Sequence, residues 1–229
     1  MITETKAYIY ETHLHTSEGS RCAKKAAEEC VEYMMAKGYH GVIITDHFYN
    51  GTTAVPLDLP WAEWVEQYCR GYENAKKAAE GTDFKVFFGV EYNYNGDEYL
   101  LYGIDKKWLI AHPDMLNYSK KELFHAVSEA GGIMIHAHPY RERYYLNAIY
   151  LSPENCHGIE VYNAQNESYQ NALAREYGVK YNLPFIGGSD MHFKKETILG
   201  GVKVSHPLED IQDFVDAFKA GELVPVSIR

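Results

Sequence analysis

Tyr8-Ile9-Tyr10-Glu11-Thr12-His13-Leu14-His15 is the first β-rich run of the chain, and it ends in two histidines. Residues two apart on a strand point to the same face, so both imidazoles stand together at the strand tip. A single histidine in that place is ordinarily a hydrogen-bonded surface or core residue. Here the device recurs. Gly132-Ile133-Met134-Ile135-His136-Ala137-His138 is a second apolar run ending in His-x-His, and Pro184-Phe185-Ile186-Gly187-Gly188-Ser189-Asp190-Met191-His192 is a third ending in Asp-x-His. Three strand ends that carry ligand-type side chains at period two are not explained by packing. They read as parts of one metal site.

Between these runs, helical and strand patterns alternate. Cys22 to Lys37 reads as a helix closed by Gly38, and Gly41 to Thr45 as a short strand leading into Asp46-His47. Trp61 to Glu80 reads as one helix, and Phe84 to Val90 as a strand with Glu91 at its end. Asn95-Gly96 signals a tight hairpin, with Glu98 to Tyr102 as the returning strand. Ser119, with Glu122 three residues on, starts a helix to Ala130 through a capping box. Further helices are expected near Glu142–Tyr150, Glu167–Tyr177 and Leu208–Ala220, with strands at Gly158–Tyr162 and Val202–Ser205.

Alternation with short links implies a parallel sheet. His13, His15, His47, Glu91, His138, Asp190 and His192 follow the carboxyl ends of different strands. Those ends converge on one mouth only if the sheet closes. The expectation is an α/β fold, a distorted (β/α)7 barrel, with residues 1–229 as a single domain.

Composition limits the partners. The 229 residues are 46% hydrophobic, enough for a sizeable core, and the formal net charge is −10 with no basic run, which argues against nucleic acid. Acidity does not exclude an anionic substrate, because bound cations reverse the local sign. Four scattered cysteines fit a reducing compartment better than a disulfide scaffold. No segment has the length of a membrane span and the start lacks a signal-peptide core, so a cytoplasmic protein is expected.

The seven candidates offer nitrogen and oxygen only, which suits Zn, Mn or Fe(II). Imidazoles beside carboxylates imply more than one ion, because a carboxylate can bridge two, and paired ions are a recurring device of phosphoester hydrolysis.

The motifs Thr12-His13-Leu14-His15-Thr16, Thr45-Asp46-His47, Gly89-Val90-Glu91, Ala137-His138-Pro139 and Gly188-Ser189-Asp190-Met191-His192 resemble, in order, those of the PHP (polymerase and histidinol phosphatase) family. The resemblance covers residues 8–192. It implies a distorted (β/α)7 barrel, a site of two or three metals, and hydrolysis of phosphate esters. It further implies that His13, His15, Glu91 and Asp190 hold one ion. Glu91 would bridge to a second that also takes His138, with His47 and His192 at a further position. Two family histidines are missing. Where they are expected the chain reads Ser17-Glu18-Gly19-Ser20-Arg21 and Gly103-Ile104-Asp105, which leaves Glu18 and Asp105 as substitute oxygen ligands. Two firmly bound ions and a weak third position are expected.

Around this set, Asp46 reads as a carboxylate that orients a ligand rather than as a ligand. His136 is either a ligand or a hydrogen-bonded barrel residue, and Glu160 with Asn163 could orient ligands or touch substrate. His40, His112, His125, His157 and His206 lack strand-end context and read as structural. Arg141 and Arg143, just after His138-Pro139, are candidates to clamp a phosphate, because a guanidinium matches its geometry bidentately. His47, Asp190 and His192 are the candidates for the chemistry itself, with a small phosphorylated substrate. The alternatives are a metal-dependent amidohydrolase and a non-catalytic metal-binding or regulatory barrel.

Overall fold

The computed structural model describes residues 7–193 and 198–228. Among the described residues, nine strands form one sheet: β1 (Tyr8–Leu14), β2 (Gly41–Ile44), β3 (Lys85–Tyr94), β4 (Asp97–Tyr102), β5 (Ile133–His136), β6 (Gly158–Asn163), β7 (Phe185–Gly188), β8 (Leu199–Val204) and β9 (Val224–Ile228). Their order is β7-β6-β5-β4-β3-β2-β1-β8-β9. The sheet curls until β7 meets β1. Leu14 bridges Met191 in parallel, with the His15 N–H on the Met191 carbonyl at 3.1 Å and the Met191 N–H on the His13 carbonyl at 3.2 Å. The hairpin β8–β9 extends β1 along its lower half. The result is an α/β, nearly closed barrel, as expected.

The helices are α1 (Ala27–Ala36), α2 (Trp61–Tyr68), α3 (Arg70–Ala78), α4 (Lys106–Ala111), α5 (Lys120–Glu129), α6 (Ser168–Tyr181) and α7 (Ile211–Lys219). α5 starts with the expected capping box, the Glu122 carboxylate accepting from the Ser119 N–H at 2.8 Å. α7 buries Phe214, Val215, Ala217 and Phe218, a stripe of helical period that covers one side of the barrel.

Several boundaries differ from expectation. α1 begins at Ala27 rather than Cys22, because residues 20–24 are held as a loop by backbone bonds. The expected Trp61–Glu80 helix breaks into two at Cys69. Glu142–Tyr150 is irregular, α4 and β9 carried no clear sequence signal, and α6 runs four residues further than read.

The departure that matters most for the site is β4. The Asn95-Gly96 turn has both residues at positive φ, 54° and 95°, as a two-residue hairpin requires. β4 therefore runs antiparallel between β3 and β5, whereas β1–β2, β2–β3, β5–β6 and β6–β7 are parallel. A reversed strand presents its first residues, not its last, at the mouth where the parallel strands end. The strand expected to close the barrel is likewise reversed, β8 lying antiparallel to β1 with Tyr8 opposite Val204.

Candidate metal centre

The end of β1, Glu91 within β3 (which runs on to Tyr94 rather than stopping at Val90), and the residues just after β2, β5 and β7 bring the seven sequence-chosen side chains into one cluster. His13, His15, Glu91, His138 and Asp190 are each at most 3% exposed and His47 is 8% exposed. Such burial of ionisable groups is costly unless they are paired or hold an ion.

Glu91 is the hub. One carboxylate oxygen lies 3.1 Å from His13 Nε2 and 3.3 Å from His138 Nε2. The other touches His47 Nδ1 and lies 3.6 Å from His15 Nε2. Asp190 Oδ1 is 3.1 Å from His15 Nε2 and 3.6 Å from His13 Nε2. Two ligand atoms on one tetrahedral ion with bonds near 2.1 Å stand about 3.4 Å apart. The observed separations fit that edge. Moreover, His13 Nε2, His47 Nδ1 and Glu91 Oε2 are buried without a hydrogen bond of acceptable geometry, although each faces a partner. Among the described residues, His13/Glu91/His138, His13/His15/Asp190, His15/His47/His192 and His47/Glu91/Glu98 each offer three converging donor atoms. The donor set fits divalent ions.

Buried polar residues behind the cluster fix its rings. His13 Nδ1 meets Glu160 Oε1 at 3.0 Å, which leaves Nε2 for the centre. The other oxygen of Glu160 accepts from the His138 N–H and from Asn163 Nδ2, both at 2.9 Å. His15 Nδ1 meets Ser20 Oγ at 3.1 Å, and Ser20 donates to Asp46 at 2.6 Å. Asp46 also accepts from the Thr16 N–H and hydroxyl at 2.7 and 2.6 Å. Glu160 and Asp46 are thus orienting carboxylates, of the kind that set ligand tautomers. Gly188 makes room for this contact, since a Cβ there would lie 2.6 Å from His13 Cβ and 2.7 Å from Glu160 Oε1.

The charges explain the ring states. Burial pulls the His13 pKa down, but the Asp190, Glu160 and Glu91 carboxylates outweigh it and raise it well above the usual histidine value. His47 is likewise raised against burial, by Glu91 and by a hydrogen bond with Cys22. Glu91 and Asp190 are held well below the carboxylate range against their own burial, Glu91 by His47 and His13, Asp190 by His13 and Arg141. Burial, then the neighbouring His192 and His47, drives His15 far down, and burial with Arg141 lowers His138. The cluster demands positive charge at its centre, which protons on two imidazoles or divalent cations can supply.

Several candidates lie elsewhere. Glu18 accepts from the Ala27 N–H at 3.1 Å and caps α1. Asp105 accepts from the Trp108 N–H at 2.8 Å and caps α4. Because β4 is reversed, Asp105 follows its far end and lies away from the mouth. His136 pairs with Asp97 at 2.7 Å, a buried structural contact beside the cluster. His40, His112, His157 and His206 have local partners outside it: the Ile9 N–H, the Trp108 carbonyl, the Met134 N–H and Glu222. Tyr92 and Tyr94 face away, donating to the Met115 and Tyr118 carbonyls.

Glu98 at the centre and Cys22 near its edge escaped the sequence reading. Glu98, at the first turn of β4, lies 3.4 Å from His138 Nε2 and is 3% exposed. Its signal was the hairpin itself, which carries residue 98 back to the level of Asn93, two positions beyond Glu91. Burial would raise the thiol pKa of Cys22, but His192 and His47 outweigh it and lower it to about 6. Nothing in its sequence context marked it. At the rim, Arg141 reaches Asp190, Asn163 Oδ1 at 2.6 Å and Asn166 Oδ1 at 2.9 Å, while Arg143 reaches Glu98.

Residues 168–223, which include Asp190 and His192, match the PHP-associated family model (PHP_C). Among curated proteins none is similar in sequence. The fold is shared with a two-domain Bacteroides vulgatus protein containing a predicted PHP-like metal-dependent phosphoesterase. That likeness has a TM-score of 0.69 at 15% identity, over 96% of this chain and 65% of that one, so this chain spans just under two thirds of its length. A Bifidobacterium adolescentis protein provisionally named a metal-dependent phosphoesterase aligns with a TM-score of 0.58 at 18% identity, over 83% and 90% of the two chains. A Chromobacterium violaceum amidohydrolase, with bound sulfate and no metal, aligns with a TM-score of 0.52 at 14% identity, over 80% and 87%. Among the described residues no helix is long and apolar enough to cross a membrane. Residues 168–223 thus carry the match to the PHP-associated model, the five strand-end motifs resemble those of the PHP family in order, and the barrel is the fold of proteins named as PHP-like metal-dependent phosphoesterases.

Proposed function

We propose that this protein is a metal-dependent phosphoesterase acting on a small phosphate ester, with residues 1–229 forming one barrel domain. The observation that carries the reading is the convergence of His13, His15, His47 and His138 on Glu91 and Asp190, with two arginines on the rim. In this reading His13, His15, Glu91 and Asp190 hold one ion. Glu91 also serves a second position with His138 and Glu98, and His47 with His192 serves a third. Zn, Mn and Fe(II) match such ligands.

What divalent ions supply in such a pocket is polarisation of a phosphoryl oxygen and acidification of water. The protein's own residues do the rest. Arg141 and Arg143 bind the phosphate oxygens, for which a planar guanidinium is suited. When the third position holds no ion, His192, half-buried with Nδ1 2.9 Å from the Asp190 carbonyl, is the group that gives a proton from Nε2 to the leaving oxygen. Asp190 Oδ1, 3.4 Å from the same nitrogen, and His47, whose ring centroid is 5.7 Å away, set the charge around that ring. Glu160 and Asp46 keep His13 and His15 oriented.

A second reading, a metal-dependent amidohydrolase, is favoured by the likeness to the Chromobacterium violaceum protein. One experiment separates the two. Purified protein loaded with Zn²⁺ or Mn²⁺ is offered a panel of phosphate monoesters, phosphate diesters and amides. Turnover of phosphate esters is expected. Turnover of amides alone would overturn the proposal.

A further inference from the structure

The segment that carries both rim arginines also carries aromatic rings that the protein's own packing hardly uses. The Leu146 N–H bonds the Arg143 carbonyl at 2.9 Å, which closes a turn with Tyr144 and Tyr145 at its tip. Turn tips favour Gly, Asn, Asp, Ser and Pro, each for a backbone reason that tyrosine does not share. Yet Tyr144 is 100% exposed and Tyr145 53% exposed, and Ile149 and Tyr150 further along are exposed as well. Large apolar side chains gathered at one place on a surface mark a contact with something outside the chain.

The turn is anchored on both sides. Ahead of it, Arg141 reaches Asp190 and Asn163, and Arg143 reaches Glu98. Behind it, Leu146 lies on Gly96 at the β3–β4 hairpin, where a Cβ would stand 2.5 Å from Leu146 Cδ2. Tyr145 is tied in through its hydroxyl, which accepts from Arg143 Nη1 at 3.0 Å. Tyr144 meets the Tyr145 ring edge to face, with centroids 5.3 Å apart, and leaves the rest of its surface to solvent.

Beside this turn lies a cavity of about 400 Å³ lined by Arg141, Arg143, Tyr144, Leu146 and Ile149. Arg141, Leu146 and Ile149 also line a narrow gap of about 20 Å³ whose other walls include Glu98 and His138. The cavity therefore adjoins the metal centre through side chains that wall both.

We propose that this cavity is the subsite for the organic part of the phosphate ester, and that Tyr144 selects substrates carrying a planar aromatic group there. The inference rests on the phosphoesterase reading given above and deepens it. Charge and continuity argue for this occupant. A molecule with an anionic end at the arginines and a flat apolar end in the adjoining cavity matches both parts of the lining. A wholly apolar partner would leave the guanidiniums unmatched, and a small polyol phosphate would leave the ring uncovered. Tyrosine suits the task because it offers a large rigid face at low cost in side-chain entropy.

The test offers the full chain, loaded with Zn²⁺ or Mn²⁺, ethyl phosphate and phenethyl phosphate. Both are esters of primary alcohols, so the leaving groups differ little in chemistry. The wild type should favour the aromatic ester in kcat/KM by roughly 3- to 10-fold, the value of an aromatic pair, with the difference in KM. Tyr144→Ala should lose most of that preference while its turnover of ethyl phosphate stays at the wild-type level, and Tyr144→Phe should keep the preference. Equal kcat/KM for the two esters in the wild type, or a preference unaltered in Tyr144→Ala, would overturn the proposal and leave the phosphoesterase reading standing. Turnover of neither ester would count against that reading, and binding then decides the subsite. Calorimetry should show phenethylphosphonate bound more tightly than ethylphosphonate, with the difference lost in Tyr144→Ala; equal binding would refute the assignment.

Discussion

Glu98 Oε2 lies 3.4 Å from His138 Nε2, almost the same distance as Glu91 Oε1 from that atom at 3.3 Å. One imidazole nitrogen thus faces carboxylates from two neighbouring antiparallel strands. Removing Glu98 should therefore weaken the position that Glu91 shares with His138. Disturbing a residue that merely orients a ligand costs about 10–100-fold in metal affinity. Glu98→Ala should reach the upper end of that range, with the loss visible as a lower metal count after dialysis. An unchanged count would make Glu98 only the counter-ion of Arg143.

Arg141 and Arg143 can be separated by kinetics. Each charge-assisted hydrogen bond to a phosphate is worth about 1.5–3 kcal/mol, or roughly 10–100-fold in binding. Arg141→Ala should raise KM for a phosphorylated substrate within that range and leave bound metal unchanged. If KM and kcat both stay at the wild-type level, Arg141 serves only to hold Asp190, Asn163 and Asn166.

Much of this site was legible in the chain because parallel strands advertise their ends. His13, His15, Glu91, His138, Asp190 and His192 each close a run whose period and apolar content announce a strand. Reversal of β4 defeated the same logic. The gap left by the missing family histidine pointed to Asp105, which follows the far end of β4 and caps α4, while Glu98 at the start of that strand is at the mouth. Glu18 misled for a different reason, since a carboxylate near a helix start is as useful for capping as for metal. Cys22 was hidden because its position depends on loop bonds to Thr52 and His192, which are remote in sequence. The irregular stretch 142–150 looked helical from its composition, yet it carries Arg143 to Glu98 instead.

Capping predicts a clean contrast with Glu98. Glu18→Ala should leave the metal count untouched and lower stability by about 0.5–2 kcal/mol, the usual cost of losing a helix cap. Chemical denaturation measures the second quantity and plasma mass spectrometry the first. A lost ion in this variant would return Glu18 to the ligand set.

Gly188 offers a probe that leaves every ligand in place. Its missing side chain lets β7 approach His13 and Glu160, and a methyl group at 2.6–2.7 Å from both must push them apart. Gly188→Ala should destabilise by about 1–3 kcal/mol through overpacking. It should also lower metal affinity, because the His13–Glu160 contact that fixes the ring is stretched. Destabilisation with unaltered metal affinity would show that β7 yields and the His13 ring does not.

The strongest pH dependence is expected for the metal-free protein. His13 and His47 carry folded-state pKa values well above the ordinary 6.5, raised by Asp190, Glu160 and Glu91 against the pull of burial. A group raised in this way binds more protons folded than unfolded above the unfolded pKa. Its stabilisation is therefore complete below about pH 6.5 and is lost as the pH climbs through the folded values. Glu91 and Asp190 are lowered, so their contribution is present above about pH 4.5 and 3.8 respectively and is lost as the pH falls through their folded values. Metal-free protein should then be most stable on the mildly acidic side of neutrality and weaken steadily in alkali. Divalent ions supply the same positive charge without a titrating proton, so Zn²⁺-loaded protein should hold its melting temperature over that alkaline range. Loading should release protons, and its affinity should rise with pH. Calorimetric titrations of Zn²⁺ in buffers of different ionisation enthalpy count those protons directly. Parallel thermal melts, with and without metal, give the stability profiles. If the metal-free and loaded proteins lose stability together above neutral pH, the imidazolium–carboxylate pairs around Glu91 do not hold the empty site, and the charge argument for its ions falls with them.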